Sequence, residues 1–231
     1  MVNRKKVIFF LVEGDTDEIY LNSILNTNEE ICEKYKVIFI KIKDVTSNFK
    51  YSQANIKGEL IKRVEKRIKE ESFLRGDILK IVHVIDIDGA YIDRGNICND
   101  ISKHFYYSGE HIFSENVEQV MQRNGHKKRI LKVLIPTTQL NSLPYNIYFM
   151  SCNFEHVLFG KEKMNASTVE KISLCKEYFV QCRKNCLVPK ETIFNEKYMS
   201  IDYEASWRDL ASGLNSLKRK TNINLFIEEI I

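Results

Sequence analysis

One run of residues limits what this chain can become. Ile78 to Gly89, ILKIVHVIDIDG, is the most apolar stretch of the sequence. A strand that is apolar on both faces needs cover on both faces, which is the situation of a central strand in a parallel sheet. Parallel neighbours are joined by crossovers that are usually helices, so the run implies strands and helices in alternation.

That alternation is present. Lys6 to Val12, KVIFFLV, reads as a strand that ends on Glu13, turns at Gly14 and enters a helix over about Asp17 to Leu25, with Asp15 or Thr16 as its cap. A helical turn between Glu30 and Lys36 leads to a second strand, Lys36 to Ile42, and a polar connection over Asp44 to Tyr51. Gln53 to Phe73 carries Ile56, Leu60, Ile61, Val64 and Ile68 at helical spacing with Lys and Arg between them, as a surface helix requires. After the central run, Ala90 to Phe113 fits neither period and reads as an insertion over the carboxyl edge of the sheet.

Ser114 caps a predicted helix to Leu134, with Gly125 as a point of interruption. Tyr145 to Ser151 is a short aromatic strand, and Glu155 opens the next helix. Two amphipathic helices, Ser167 to Lys184 and Tyr203 to Lys220, flank an irregular stretch around Pro189, and the apolar tail from Thr221 to Ile231 is expected to pack on the core. The expected fold is α/β: a parallel-stranded, Rossmann-like sheet flanked by helices over residues 1–160, with residues 161–231 as a helical C-terminal appendage packed on it.

Composition narrows the partners. Thirty-five basic against 31 acidic side chains leave a net charge of +4, which permits a nucleic-acid partner without demanding one. MVNRKK lacks the apolar run of a signal peptide, and no apolar stretch reaches about 18 residues, so a cytoplasmic protein without membrane contact is expected. The 6 cysteines contain no C-x-x-C pair. Cys175, Cys182 and Cys186 share a helical face and offer a minor zinc alternative to plain packing.

The candidate chemistry is carboxylate chemistry. If the strands are parallel, Glu13, Asp86, Asp88 and Glu155 all fall at the carboxyl edge of the sheet, where open α/β sheets bind their ligands. Asp86 and Asp88, two apart, would point to one side of a strand, and Asp17, four after Glu13, would face the same place. Singly each has a plain reading: a turn for Glu13-Gly14 and for Asp88-Gly89, a helix-start acid for Glu155. Together, such acids repel one another unless cations neutralise them, and with no His or Cys set the cation is Mg²⁺ or Mn²⁺, as two ions. That pairing suits phosphodiester hydrolysis.

These residues also carry a resemblance. A strand followed by Glu13-Gly14, with a strand followed by Asp86-Ile87-Asp88 later, resembles the Toprim domain. LVEGDTDEIYL with YFMSCNFEHVLF is similar to the small stand-alone Toprim nucleases of the RloB-like and OLD-like kind, often encoded with bacterial phage-defence systems. The resemblance covers about residues 6–160. It implies a metal-dependent nuclease acting on DNA or RNA, with Glu13 as proton-transfer group and metal partner, Asp86 and Asp88 as metal ligands, Asp17 as an added acid, and Glu155 in the position of a later N-x-x-F-E-like segment. A basic residue late in the chain is also implied, for which Lys190, Lys218, Arg219 and Lys220 are candidates. No G-x-x-x-x-G-K-[ST] occurs, so an ATPase or other defence partner would be a separate protein.

Phosphate grip is expected from Lys127, Lys128 and Arg129 with Arg123, from Lys218 and Arg219, and from the basic face of the Gln53–Phe73 helix. Phe105, Tyr106 and Tyr107 offer either base stacking or packing. His83 reads as a hydrogen-bonded core histidine, and His156 lies beside Glu155. Two competing readings remain: a haloacid-dehalogenase-like phosphatase with Asp86 as nucleophile, to which VIDIDGA is similar, and a non-catalytic nucleic-acid-binding module that keeps the fold.

Overall fold

The computed structural model describes residues 5–26, 29–101, 105–159, 173, 176, 177, 180, 195 and 197–231. Its strands are β1 (Lys6–Val12), β2 (Tyr35–Lys41), β3 (Ile78–Asp86), β4 (Ile97–Asn99), β5 (Tyr106–Tyr107), β6 (Ile112–Ser114), β7 (Gln139–Leu140) and β8 (Leu143–Met150). Its helices are α1 (Asp15–Asn26), α2 (Glu29–Lys34), α3 (Ile56–Glu70), α4 (Val117–Leu134), α5 (Phe154–Phe159), α6 (Tyr203–Leu210) and α7 (Ile223–Ile230). The chain divides into two compact units, one of residues up to Ile85 with Arg129–Tyr148, the other of Asp86–Lys128 with Phe149–Ile230. The expected boundary at 160/161, most of the Ser167–Lys184 helix, the Cys175, Cys182 and Cys186 cluster and Lys190 lie outside the described residues.

The first unit is built on a five-stranded sheet in the order β2-β1-β3-β8-β7, flanked by helices. β1 runs parallel to β2, from Lys6↔Tyr35 to Val12↔Lys41, and parallel to β3, with Leu11 opposite His83. Phe9, Phe10, Leu11 and Val12 in β1 and Ile81, Val82 and His83 in β3 are fully buried. Burial at consecutive positions means cover on both faces, as the apolar runs require. His83 fits there because its Nδ1 lies 2.8 Å from the Tyr145 hydroxyl, and burial lowers its pKa to about 3, so it stays neutral. α3 buries Ile56, Leu60, Val64 and Ile68, one stripe at four-residue steps.

The sheet is not wholly parallel. β7 pairs antiparallel with β8 across Asn141 and Ser142, both at positive φ (47° and 65°). That is the primed two-residue turn whose twist suits a tight hairpin, and it adds an edge strand that the sequence pattern did not reveal. Helix α4 runs unbroken through Gly125, so the expected interruption is absent; buried Val120, Asn124, Lys127, Ile130, Leu131 and Leu134 hold it on one side. A glycine there costs only about 1 kcal/mol.

In the second unit the insertion forms its own small sheet, β4-β6-β5, with β4 parallel and β5 antiparallel to β6. Strands of two or three residues are too short to register as a period. One face of this sheet, Ile97, Tyr107 and Ile112, joins a buried cluster with Ile92, Val120, Cys152 and Leu217. On the other face Tyr106 stacks on Phe113 with ring centroids 4.5 Å apart.

The predicted helix over Tyr203–Lys220 ends early. Asp202 caps α6 through Ala205 N (2.6 Å), α6 stops at Leu210, and Gly213 at φ 52° turns the chain into a 3-10 turn over Asn215–Leu217. The expected apolar tail is helix α7, which buries Ile223, Phe226, Ile227 and Ile230. Just ahead of it Asn222 Oδ1 accepts from Phe149 N and Thr221 Oγ1 donates to Phe149 O, both at 2.8 Å. The final residues thus complete the end of β8. No helix among the described residues is long and apolar enough to cross a membrane.

Candidate functional site

Glu13 follows β1 in the first unit and is half-buried. Gly14 stands at the N-cap of α1, and Asp17, three residues on, reaches back: its Oδ2 accepts from Glu13 N and Gly14 N, both at 3.0 Å. This is the returning half of a capping box, with an acid satisfying the amides that a helix start leaves orphaned. Asp17 is 8% exposed and serves the helix start. Its neighbours Asp15 and Glu18 pair with Lys41 at 2.7 and 3.6 Å.

Asp86 and Asp88 leave β3 in the second unit, where the chain departs from strand geometry. β3 ends at Asp86, and Asp88 and Gly89 adopt φ 55° and 64°. The rule that residues two apart share a face of a strand therefore does not carry from Asp86 to Asp88. The turn is tied down by its backbone, with Ile87 N donating to Met150 O (3.0 Å) and Asp88 N to Cys152 O (2.5 Å). Gly89 is needed twice over: its φ favours glycine, and a Cβ there would lie 2.6 Å from Leu217 Cδ2 and 2.9 Å from Ile112 Cδ1.

Side chains remote in sequence close around this turn. Lys127 Nζ, on α4, donates to Asp86 O (2.7 Å) and Asp88 Oδ2 (2.6 Å). Tyr107 OH donates to Asp88 Oδ1 (2.9 Å). Arg123 NH2 donates to Asp88 O (2.7 Å) and Asn124 Oδ1 (2.8 Å), and its guanidinium lies over the Phe105 ring, 4.8 Å from the centroid. Phe105 and Tyr107 meet edge-on, 5.0 Å apart. Of the two roles open to these aromatics, packing is the one observed for Phe105 and Tyr107.

These contacts set the electrostatics of the turn. Burial by itself pushes the Asp88 carboxyl upward, but the charges of Lys127 and Arg123, with hydrogen bonds from Lys127 and Tyr107, outweigh it and hold the group at about 2. Burial, then the Asp88 charge, drives the Tyr107 hydroxyl well above its usual range. The Cys152 thiol is pushed up by burial and then by Asp88 and Asp86, which makes it an inert packing group.

Glu155 sits in the first turn of α5 and is 3% exposed. Asn153 caps that turn, its Oδ1 accepting from His156 N at 2.8 Å. The residues expected to grip phosphate have separate fates. Lys127 is a correction: its side chain is 0% exposed and paired with Asp88, so it offers no surface charge. Lys128 is half-buried, and Arg129 and Lys218 are exposed. Arg219 donates from Nε to Val157 O (2.6 Å) and from NH1 to Tyr198 OH (3.1 Å). On α3, Lys62, Lys66 and Arg67 face Glu59, Glu70 and Glu71 in exposed pairs of small energetic weight.

Whether these residues suit a divalent cation can be judged from the donors. Among the described residues no group of three or more His, Cys, Asp and Glu is gathered closely enough to hold a metal. Asp88 does not fit as a direct ligand, because both its oxygens accept hydrogen bonds and an ammonium lies 2.6 Å from one of them. Mg²⁺ keeps most of its waters and binds through one or two carboxylates together with substrate phosphates, so a single carboxylate such as Asp86 is enough to consider. The brace of Lys127, Tyr107 and Arg123, with Asn124 and Cys152 behind it, was not foreseen in these roles. The one signal for it is Lys127 itself, seven residues after Val120 and four before Leu131 on the buried stripe of α4. Comparison with known proteins finds no matching family model, no matching curated protein and no matching solved structure.

Proposed function

We propose that the protein is a divalent-cation-dependent phosphodiesterase acting on nucleic acid, of the Toprim-like kind. The observation that supports this reading best is Asp86, placed at the exit of the buried strand β3 of a largely parallel sheet, on a turn locked by backbone and side-chain bonds. A carboxylate held in that way has little orientational freedom to lose on binding. In this reading Asp86 holds Mg²⁺ or Mn²⁺, which when bound supplies a polarised water and charge neutralisation for the phosphate. The roles that the resemblance implies for Glu13, as proton-transfer group, and for Glu155, as a further acid, belong to the same reading, as do phosphate contacts from the exposed Arg129 and Lys218. A separate ATPase or defence protein as partner belongs to the same reading.

The test is incubation of the purified protein with plasmid, single-stranded DNA and tRNA, with Mn²⁺, with Mg²⁺ and with chelator. The expected result is cleavage of at least one substrate with metal and none with chelator, lost in both Glu13→Gln and Asp86→Asn. Cleavage that survives both substitutions would refute the assignment. A phosphomonoesterase with Asp86 as nucleophile is the second reading. It is favoured by the buried Lys127 ammonium on the Asp86 carbonyl, a fixed positive charge beside the would-be nucleophile. It expects turnover of a small phosphomonoester that persists in Glu13→Gln and vanishes in Asp86→Asn.

A further inference from the structure

The pair Asp86 and Asp88 looks, in sequence, like two equivalent ligands. One lysine ties them together: Lys127 meets the backbone carbonyl of Asp86 and the carboxylate of Asp88. We propose that Asp88 is a positioning residue and not a metal ligand: with Lys127, Tyr107 and Arg123 it forms a brace that fixes the end of β3 and so aims Asp86. The metal half of this statement rests on the proposed phosphodiesterase reading; the brace itself does not.

Three features carry the inference. First, each Asp88 oxygen already accepts a bond, Oδ1 from Tyr107 and Oδ2 from Lys127, and a divalent ion on that carboxylate would lie within a few ångströms of a buried ammonium, where like charges repel strongly. Secondly, Asp88 already has two cationic side chains against it, Lys127 on its carboxylate and Arg123 on its carbonyl. Thirdly, Asp88 occupies the left-handed region (φ 55°), a conformation that costs free energy for a residue with a Cβ and persists where surrounding bonds impose it. Those bonds are all present: Asp88 N to Cys152 O, Arg123 to Asp88 O, and the two carboxylate contacts. Lys127 joins both ends of the Asp-Ile-Asp turn with one nitrogen, so its removal releases Asp86 as well as Asp88.

The experiment compares Asp86→Asn, Asp88→Asn, Lys127→Met and the paired neutral exchange Asp88→Asn with Lys127→Met. Two readouts are needed: Mn²⁺ affinity by calorimetry, and hydrogen-exchange protection of the Ile87 and Asp88 amides relative to the rest of the protein. Local protection is expected to fall at least about tenfold in each single brace variant and to return to within about threefold in the pair. Asp86→Asn is expected to lose Mn²⁺ affinity by more than tenfold, while the paired exchange keeps it within about threefold. Loss of Mn²⁺ affinity in the paired exchange equal to that in Asp86→Asn, with amide protection intact, would make Asp88 a ligand and overturn the proposal. Additive losses of protection would overturn the brace. If the unaltered protein binds no Mn²⁺, the phosphodiesterase reading fails, and the brace is decided by the amide protection alone.

Discussion

The exits of β1 and β3 start from the same sequence device, an apolar run that ends in acids, and the protein resolves them by different chemistry. At the β1 exit Asp17 is satisfied by two backbone amides within four residues of itself. At the β3 exit Asp88 is satisfied by Lys127, 39 residues away, and by Tyr107, 19 residues away. The difference lies in the backbone just past each strand. A helix begins after β1, and its orphaned amides accept an acid at once. After β3 the chain turns through two left-handed residues, which present no such row of donors, so the charge has to be met by side chains from elsewhere. An acid after a strand is therefore a local matter in one case and a tertiary one in the other.

The contrast can be broken most directly at Lys127. Lys127→Ala leaves the Asp88 carboxylate without its ammonium, and breaking a buried pair costs about 3–5 kcal/mol. Urea unfolding followed by the single tryptophan, Trp207, which lies 4.9 Å from Phe149, reads this out; a loss below about 1 kcal/mol would erase the distinction between the two exits.

Acid comes next. Asp88 titrates at about 2 when folded against 3.8 unfolded, so folding favours its charged form. Its contribution is whole above pH 3.8 and is lost as pH falls through 2, about 2 kcal/mol in all. His83 covers another window. Its folded value of about 3 lies below the unfolded 6.5, so folding favours the neutral ring, and stability is lost as pH falls from 6.5 towards 3. Urea midpoints against pH in His83→Phe are expected to lose the upper window and keep the lower one.

A smaller effect is expected at Gly89. An added Cβ would meet Leu217 and Ile112 at a positive φ, and Gly89→Ala is expected to cost about 1–3 kcal/mol, read as a fall in the thermal midpoint. The β1 exit gives the smallest figure: Asp17→Ala removes a capping acceptor worth about 1 kcal/mol. A loss at Asp17 as large as that at Lys127 would mean that the two exits are equally tertiary.

Much of the first unit was legible because its signals are local. Apolar runs without alternation gave β1 and β3, and the four-residue stripe of Ile56, Leu60, Val64 and Ile68 gave α3. His83 as a bonded core histidine was legible from its position in an apolar strand. The second unit was less so. β4, β5 and β6 are too short to show a period, and the 3-10 turn that follows α6 and Gly213 is bonded to Ser151 and Cys152, remote in sequence. In the candidate site, the acids at strand exits were readable. That Asp17 caps a helix and Asp88 faces a buried lysine was not, because spacing tells which residues can meet and not which donor reaches them first.

The bonds from Thr221 and Asn222 to Phe149 have a consequence for the order in which the protein is made. The amide and carbonyl of Phe149 wait for partners 73 and 72 residues later, respectively. At about 5–20 residues per second, that is an interval of roughly 4–15 s of synthesis. Through that interval the end of β8 is an incomplete strand terminus with apolar neighbours. A nascent chain stalled before Thr221 would leave the Phe149 amide and carbonyl open to other chains and to proteases.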